Sequence, residues 1–165
     1  MVEIQQNIDR IFELIATIPD PEIPVITIKD LGILRKVEYH TSENNYVVTI
    51  TPTYTACPAM SMISDDIKQI AIANGFPNVS VELVYSPAWT TDWLSTEAKR
   101  KLKEYGIAPP NHSSCSNVFN TSERVVCPRC DSKKTELISR FGSTACKALY
   151  KCNECLETFD SFKCH

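Results

Sequence analysis

The chain of 165 residues carries 17 basic and 20 acidic side chains, for a formal net charge of −3 at neutral pH. Its length suits one medium domain and one small domain, and no apolar stretch is long enough to cross a bilayer. The amino-terminal residues lack the basic start, apolar run and cleavage site of a secretory signal, which predicts a cytoplasmic protein with eight reduced cysteines.

The first hundred residues predict a small α/β domain, which we bound at residues 1–106. Isoleucine and phenylalanine recur at helical spacing from about residue 3 to 18, and Pro19 ends this helix because the residue before a proline disfavours helical backbone. The later patterns predict strands over 33–39, 46–51 and 79–85, and helices over 57–75 and 95–105. The predicted order is α-β-β-α-β-α around a three-stranded sheet.

Cys57 is the candidate functional thiol of this domain. It precedes Pro58, which suits the first position of a helix, so the thiol is predicted at or next to a helix N-terminus. Free N–H groups and the helix dipole favour a thiolate there, which predicts a lowered pKa and a nucleophile, redox group or metal ligand. A small buried residue without chemistry fits the position equally well.

Two carboxylates, Asp20 and Glu22, flank Pro21 in a stiff loop. They are candidates for binding a cation or for acting as an acid–base pair. Acids in such loops more often accept hydrogen bonds from backbone amides or cap a helix. The residues alone favour this second interpretation.

Four cysteines form two matched C-x2-C pairs, Cys127 with Cys130 and Cys152 with Cys155, and 21 residues separate the pairs. Two such turns supply four thiolates in a tetrahedron, the geometry of structural zinc or of a single iron. The spacer has room for a β-hairpin. The sequence therefore predicts a metal-bound ribbon over 124–165, since disulfides or free thiols would rarely fall into two matched pairs.

A stretch rich in serine and asparagine, residues 107–123, predicts a linker between the two domains. The three remaining cysteines, Cys115, Cys146 and Cys164, are expected to be packed or incidental thiols. For Cys146 and Cys164, which lie in or beside the ribbon, the alternative is a second site or an exchange of ligands during metal transfer.

Charge is distributed unevenly, with a net −6 over residues 1–123 and a net +3 over residues 124–165. A basic tail is compatible with nucleic acid as a partner. The stacking candidates would be four aromatic residues, Phe141, Tyr150, Phe159 and Phe162. The acidic chain as a whole, and the need for aromatic residues in so small a core, disfavour this hypothesis.

Four stretches together resemble the MIP18 family (domain of unknown function 59), which is tied to iron–sulfur cluster assembly and transfer. They start at Asp20, Asp30, Thr51 and Ser86 and read DPEIP, DLG, TPTYTACP and SPAWTTDW. The resemblance covers about residues 3–106 and implies that Cys57 is the family's signature cysteine in its T-x-x-x-C-P stretch. It also implies that Asp20 and Glu22 form the acidic D-P-E motif, and that Cys57 receives or passes iron or an iron–sulfur unit.

The second half is similar to the D subunits of the phenylacetyl-CoA epoxidase system of aerobic bacteria. The similarity rests on YGIAPP from Tyr105, FGSTACKALY from Phe141, the second cysteine pair and FKCH from Phe162. It implies partners among the oxygenase and reductase subunits of that system. Asp131 and Leu156 depart from ribbons that place glycine after the second cysteine, which favours zinc over a rubredoxin-like iron site.

We therefore expect an accessory maturation protein of that system, a subunit or assembly factor without a catalytic role of its own. One alternative is a thiol-dependent enzyme with Cys57 as nucleophile and Asp20 or Glu22 as base. The first domain offers no second cysteine and no nearby histidine for such chemistry. The other alternative is a ribbon that binds nucleic acid.

Overall fold

A computed structural model describes residues 2–110 and 125–163. The elements in chain order are α1 (Val2–Ala16), β1 (Leu34–His40), β2 (Asn45–Ile50), α2 (Ala59–Ala73), β3 (Val79–Leu83), a 3-10 turn (Thr91–Trp93), α3 (Thr96–Tyr105), β4 (Thr135–Ser139), β5 (Lys147–Cys152) and β6 (Thr158–Phe162). They fall into two compact units, Met1–Trp89 and Thr90–His165. No helix within the described ranges is long and apolar enough to span a membrane.

The first unit contains a three-stranded sheet in the order β1-β2-β3. Strands β1 and β2 are antiparallel, whereas β2 and β3 run parallel and are connected through α2. Helix α1 contacts β1 and α2, and α2 contacts β3. Val48 and Ile50 of the central strand are fully buried. The predicted mixed α/β architecture and its three-stranded sheet are confirmed.

Side-chain hydrogen bonds fix the loops that connect α1 to the sheet. The backbone N–H of Asp30 donates to Thr27 Oγ1, and the N–H of Thr27 donates to the Asp30 carboxylate. The buried indole Nε1 of Trp89 donates to the carbonyl oxygen of Leu31 at 2.8 Å. Because Gly32 follows with φ +72°, a region that L side chains rarely adopt, the DLG stretch has a clear structural role.

The second unit combines α3 with a sheet in the order β4-β5-β6. Ser95 caps α3 by accepting a hydrogen bond from the N–H of Ala98, and Gly106 ends the helix with φ +94°. Lys103 forms an ion pair with Asp131 at 2.6 Å. The helix that the sequence analysis assigned to the first domain therefore groups with the ribbon.

Residues 107–110 differ from the linker predicted over 107–123. Ile107 and Ala108 are buried, and Ala108 forms a parallel bridge with Ser161 of β6. The Ala108 N–H donates to the Asp160 carbonyl at 2.8 Å, and the Phe162 N–H donates to the Ala108 carbonyl at 2.9 Å. The first residues of the expected linker thus belong to the ribbon unit. Residues 111–123 lie outside the described residues, so that part of the linker stays a prediction.

These hydrogen bonds predict slow amide exchange at Ala108. We expect the Ala108 amide to be protected to the same degree as the paired amides of β5 and β6, because a buried backbone hydrogen bond must open before exchange. Hydrogen exchange followed by NMR measures this directly, with Gln5 on the first turns of α1 as an exposed reference. Exchange at Ala108 as fast as at a fraying helix end would contradict the assignment.

Candidate metal and thiol sites

Four cysteine sulfurs converge in the second unit. The Sγ atoms of Cys127, Cys130, Cys152 and Cys155 all lie within 4.8 Å of one another. Cys127 Sγ is 3.8 Å from Cys155 Sγ, and Cys130 Sγ is 3.6 Å from Cys152 Sγ. A tetrahedral zinc with Zn–S bonds of about 2.3 Å requires sulfurs about 3.8 Å apart. The four sulfurs therefore have the spacing of a closed tetrahedral metal site.

The two cysteine turns have the same backbone conformation. The N–H of Cys127 donates to the Ser132 carbonyl and the N–H of Cys152 donates to the Glu157 carbonyl, both at 2.9 Å and both five residues along the chain. The residue after each second cysteine has a positive φ, 58° at Asp131 and 66° at Leu156. This conformation explains why glycine is common there, and a leucine in it costs roughly 1–2 kcal/mol.

Backbone amides and crowded sulfurs shift the pKa values of these thiols in opposite directions. The N–H groups of Cys155 and Glu154 lower the pKa of Cys152 to about 6. The N–H of Ser132 favours the Cys130 thiolate, but desolvation and the neighbouring thiols outweigh it and raise that pKa to about 12. Four thiolates this close repel one another. A bound cation is what allows all four to be deprotonated together.

The metal-ligand cluster is also the core of the ribbon. Cys127 and Cys152 are fully buried and pack with Ala108 and Phe159, and Tyr150 stacks on Phe159 at 6.0 Å. Two of the four buried residues of this cluster are thus candidate metal ligands, so we expect metal ligation to stabilise it.

The thiol of Cys57 lies at the start of α2 in the first unit. Helix α2 begins at Ala59 with Pro58 as its N-cap residue, so Cys57 stands immediately before the cap. The Cys57 N–H donates to the Tyr54 carbonyl, and the Cys57 carbonyl accepts from the Met60 N–H. The side chain is half-buried. The position predicted from the Cys-Pro pair is the observed one.

The lowered pKa predicted for Cys57 is wrong. Burial is the largest influence on this thiol and raises its pKa above the ordinary value. The backbone N–H of Ala59 and a hydrogen bond with Tyr54 lower the pKa, while the negative charges of Glu22 and Asp20 raise it. Desolvation and the two carboxylates thus outweigh the helix terminus. Tyr54, three residues upstream in the TPTYTACP stretch, was not among the predicted site residues.

Asp20 has a structural role in its loop. Its side chain is 6 % exposed, and Oδ1 accepts hydrogen bonds from the N–H groups of Glu22 at 2.9 Å and Ile23 at 2.8 Å. This is the amide-binding role that the residues alone favoured. Both carboxylates lie close enough to Cys57 to affect its pKa. Within the described ranges only the ribbon cysteines form a compact cluster of three or more ligand atoms, so these acids and Cys57 form no such cluster.

Two aromatic residues proposed to stack on nucleic acid are in the core. Phe159 and Phe162 are buried, and Tyr150 is half-buried against Phe159. Only Phe141 of the four candidates is well exposed, with Lys163 Nζ 4.5 Å from its ring centroid. Cys146 is buried beside Thr144 and is not part of the metal cluster. Cys115, Cys164 and His165 lie outside the described residues.

Fold and site together define an iron–sulfur assembly domain followed by a four-cysteine ribbon. A family model described as "Iron-sulfur cluster assembly protein" matches residues 8–84, and one described as "PaaD zinc beta ribbon domain" matches residues 111–163. A crystal structure of a domain of unknown function 59 from Bacillus anthracis superposes on the chain with a TM-score of 0.55 at 26% identity. The superposition includes 61% of this chain and 95% of the Bacillus anthracis chain.

Sequence relatives extend the match to nearly the whole chain. A protein of Escherichia coli (strain K12) that bears the name of a 1,2-phenylacetyl-CoA epoxidase D subunit is 49% identical over 96% of this chain and 93% of its own length. An "Fe-S protein maturation auxiliary factor" of Porphyromonas gingivalis is 33% identical over 61% of this chain and 94% of its own length. The chain belongs to the family of the phenylacetyl-CoA epoxidase D subunits.

Replacing a ribbon cysteine should remove the metal and unfold the second unit. We expect Cys127→Ser, Cys130→Ser, Cys152→Ser and Cys155→Ser each to lower bound metal, because structural zinc contributes on the order of 10 kcal/mol to such domains. Elemental analysis and circular dichroism measure the loss. Cys146→Ser is the control, since this thiol lies outside the cluster. Unchanged metal content in all four variants would contradict a four-thiolate site.

The raised pKa of Cys57 predicts slow alkylation at neutral pH. Only the thiolate reacts, so the rate should rise with pH up to a midpoint above that of an ordinary cysteine. Glu22→Gln removes a negative charge that raises this pKa, so it should speed alkylation at a fixed pH of about 8. Mass spectrometry of metal-loaded protein follows the site. Glu43→Gln, which does not act on Cys57, is the matched control; an equal effect of both variants would refute the electrostatic explanation.

Proposed function

We propose that this protein is an accessory maturation factor of the phenylacetyl-CoA epoxidase system. In this proposal the first unit receives or passes iron or an iron–sulfur unit through Cys57. The ribbon holds zinc permanently and docks the client. The clients are the oxygenase or reductase subunits, and the protein itself catalyses no step of substrate oxidation. The cytoplasmic location expected from the sequence stays a prediction.

The observation that carries the proposal is the electrostatic setting of Cys57. A half-buried thiol beside two carboxylates is held in its protonated form. An iron ion or cluster would offset the negative charges and replace the thiol proton, which leaves to solvent. The same carboxylates that disfavour a free thiolate thus favour a cation-bound one. Such a thiol can bind a metal cargo, yet it stays protonated and unreactive when no metal is bound.

The open geometry of this site supports transfer rather than storage. Asp20 Oδ1 accepts hydrogen bonds from the backbone N–H groups of Glu22 and Ile23. No compact set of metal-ligand atoms forms around Cys57 within the described residues. A cargo bound by one thiolate and a few weaker contacts has coordination positions left for a client's ligands. The ribbon, by contrast, surrounds its metal with four thiolates.

Zinc suits the ribbon better than a redox-active iron in this proposal. All four ligands come from two matched turns, the arrangement of closed structural zinc sites. The exposed, left-handed Leu156 follows the second turn, where a glycine would be less strained. The names of the relatives from E. coli and P. gingivalis support a role in iron–sulfur protein maturation for a member of the epoxidase system.

The raised pKa of Cys57 argues against the thiol-dependent enzyme. An activated nucleophile needs a depressed pKa or an adjacent base that removes its proton. Here burial and the two carboxylates raise the pKa of the thiol. Asp20 Oδ1 already accepts hydrogen bonds from two loop amides. These surroundings favour metal handling over nucleophilic catalysis as the use of this thiol.

The test is co-expression of Cys57→Ser with the oxygenase and reductase subunits. We expect the variant to fold and to keep its ribbon metal, since serine is nearly isosteric and tolerated next to a helix cap. Client iron content and activity should fall to the level seen without this protein. Asp20→Asn should weaken maturation while keeping an Oδ1 acceptor for the loop amides, and Glu22→Gln should weaken it as well. Cys146→Ser is the control thiol. Full client activity with Cys57→Ser would overturn the transfer role.

A further inference from the structure

A cavity of about 440 Å³ lies in the first unit, and Cys57 is not among the residues that line it. It forms where one face of α1 meets the ends of β1 and β2 and the turn between α2 and β3. Gly75 and Asn78 stand on that turn, at the C-terminal end of α2. Cys57 precedes the other end of the same helix, which is about 22 Å long by its rise of about 1.5 Å per residue. The cavity is therefore separate from the Cys57 site.

Three aromatic side chains form the apolar part of the cavity. The rings of Tyr39 and Tyr46 lie 4.9 Å apart and tilted, and Phe76 meets Tyr46 edge-on at 5.9 Å. Gly75, with φ +89°, leaves open space where a side chain would stand. The volume lies within the range of about 300–1,000 Å³ typical of small-molecule sites. It is much larger than a bare carboxylate or phosphate requires.

Hydrogen-bond donors surround these rings. The guanidinium of Arg10 stacks 5.5 Å from the Phe76 ring centroid, and no described carboxylate forms an ion pair with it. The side-chain amides of Asn7 and Asn78 make no hydrogen bond within the described ranges. Asn44 accepts a hydrogen bond from the Tyr39 hydroxyl through Oδ1, which leaves its NH₂ group as a donor. Fork-shaped Arg donors and amide NH₂ groups suit a planar or tetrahedral anion.

The charge of the lining differs from that of the unit around it. Residues 1–89 hold 5 basic and 11 acidic side chains, a net charge of −6. Arg10 is nevertheless the one charged residue among those lining the cavity, and no described acidic side chain lines it. The lining thus carries a single positive charge within an otherwise acidic unit, which favours an anion over a cation at that place.

We propose that this cavity binds an organic anion that carries a planar ring. Arg10 and the free amides hold the carboxylate or phosphate, and Tyr39, Tyr46 and Phe76 contact the ring. The inference is independent of the metal-transfer role of Cys57. It concerns a second ligand, at the opposite end of α2.

The test is an NMR titration of the full-length, metal-loaded protein. Benzoate and phenyl phosphate are the probes, and the tighter of the two identifies the headgroup. Benzyl alcohol keeps the ring without the charge, while acetate and inorganic phosphate keep the charge without the ring. We expect saturable shifts of the Tyr46, Gly75 and Asn78 amides with at least one probe. Benzyl alcohol should bind at least tenfold more weakly, since a charge-assisted hydrogen bond contributes about 1.5–3 kcal/mol. Acetate and inorganic phosphate should also bind at least tenfold more weakly, since they lack the ring that contacts the three aromatic side chains.

Two variants locate the anion. Arg10→Met should weaken binding about tenfold or more, and Asn78→Asp should do the same by placing a negative charge in the lining at an exposed position. Arg140→Met, in the ribbon, is the matched control and should bind as the unaltered protein does. Asn78 lies outside α1, so its variant still tests the proposal if Arg10→Met disturbs the folding of that helix. The proposal would be overturned if benzyl alcohol bound as tightly as benzoate, or if neither probe gave a saturable shift. It would also be overturned if the shifts were centred on other residues, or if Asn78→Asp bound the probe fully.

Discussion

The convergence of four thiolates is the constraint on which the second unit depends. Cys127 and Cys152 are at once ligands and core residues, and they pack with Ala108 and Phe159 where a larger domain would place aliphatic side chains. Like charges at 3.6–3.8 Å are tolerable only around a cation. The turn hydrogen bonds, the left-handed residues after each pair and the pairing of Ala108 with β6 all hold this arrangement. A bound metal would therefore stabilise the part of the sheet where the four cysteines meet.

The surroundings of Cys57 shift its pKa in the direction opposite to that of Cys152 in the ribbon. The ribbon turns direct backbone N–H groups at their sulfurs, and the pKa of Cys152 falls to about 6 as a result. At Cys57 burial and the charges of Glu22 and Asp20 outweigh the N–H of Ala59, and the pKa rises. The ribbon thus lowers the pKa of one thiol, Cys152, whereas the surroundings of Cys57 keep that thiol protonated. In the proposed function the first cluster holds a resident metal and the second thiol takes up a cation.

Local patterns were sufficient to predict most of the elements and the four cysteines that converge in the ribbon. Helical periodicity places α1 and α2 because a buried stripe recurs every three to four residues, and C-x2-C spacing is set by the turn itself. Local patterns did not predict features that depend on contacts between residues far apart in the chain. Ala108 belongs to a strand pair only because Asp160 and Phe162 lie beside it in space. The pKa of Cys57 is raised mainly by burial, which no local pattern reveals, and further by Glu22, 35 positions upstream. Likewise, the buried positions of Phe159 and Phe162 follow from the packing of the second unit.

If the ribbon holds a permanent zinc and Cys57 a transient iron cargo, the two metals should differ in amount and in their dependence on Cys57. Anaerobic purification followed by metal and acid-labile sulfide analysis, with X-ray absorption at the zinc edge, measures both. We expect one zinc per chain with four sulfur neighbours at about 2.3 Å, and substoichiometric iron that is lost in Cys57→Ser. Stoichiometric iron and sulfide that persist in Cys57→Ser, or zinc without four sulfur neighbours, would refute this division of roles.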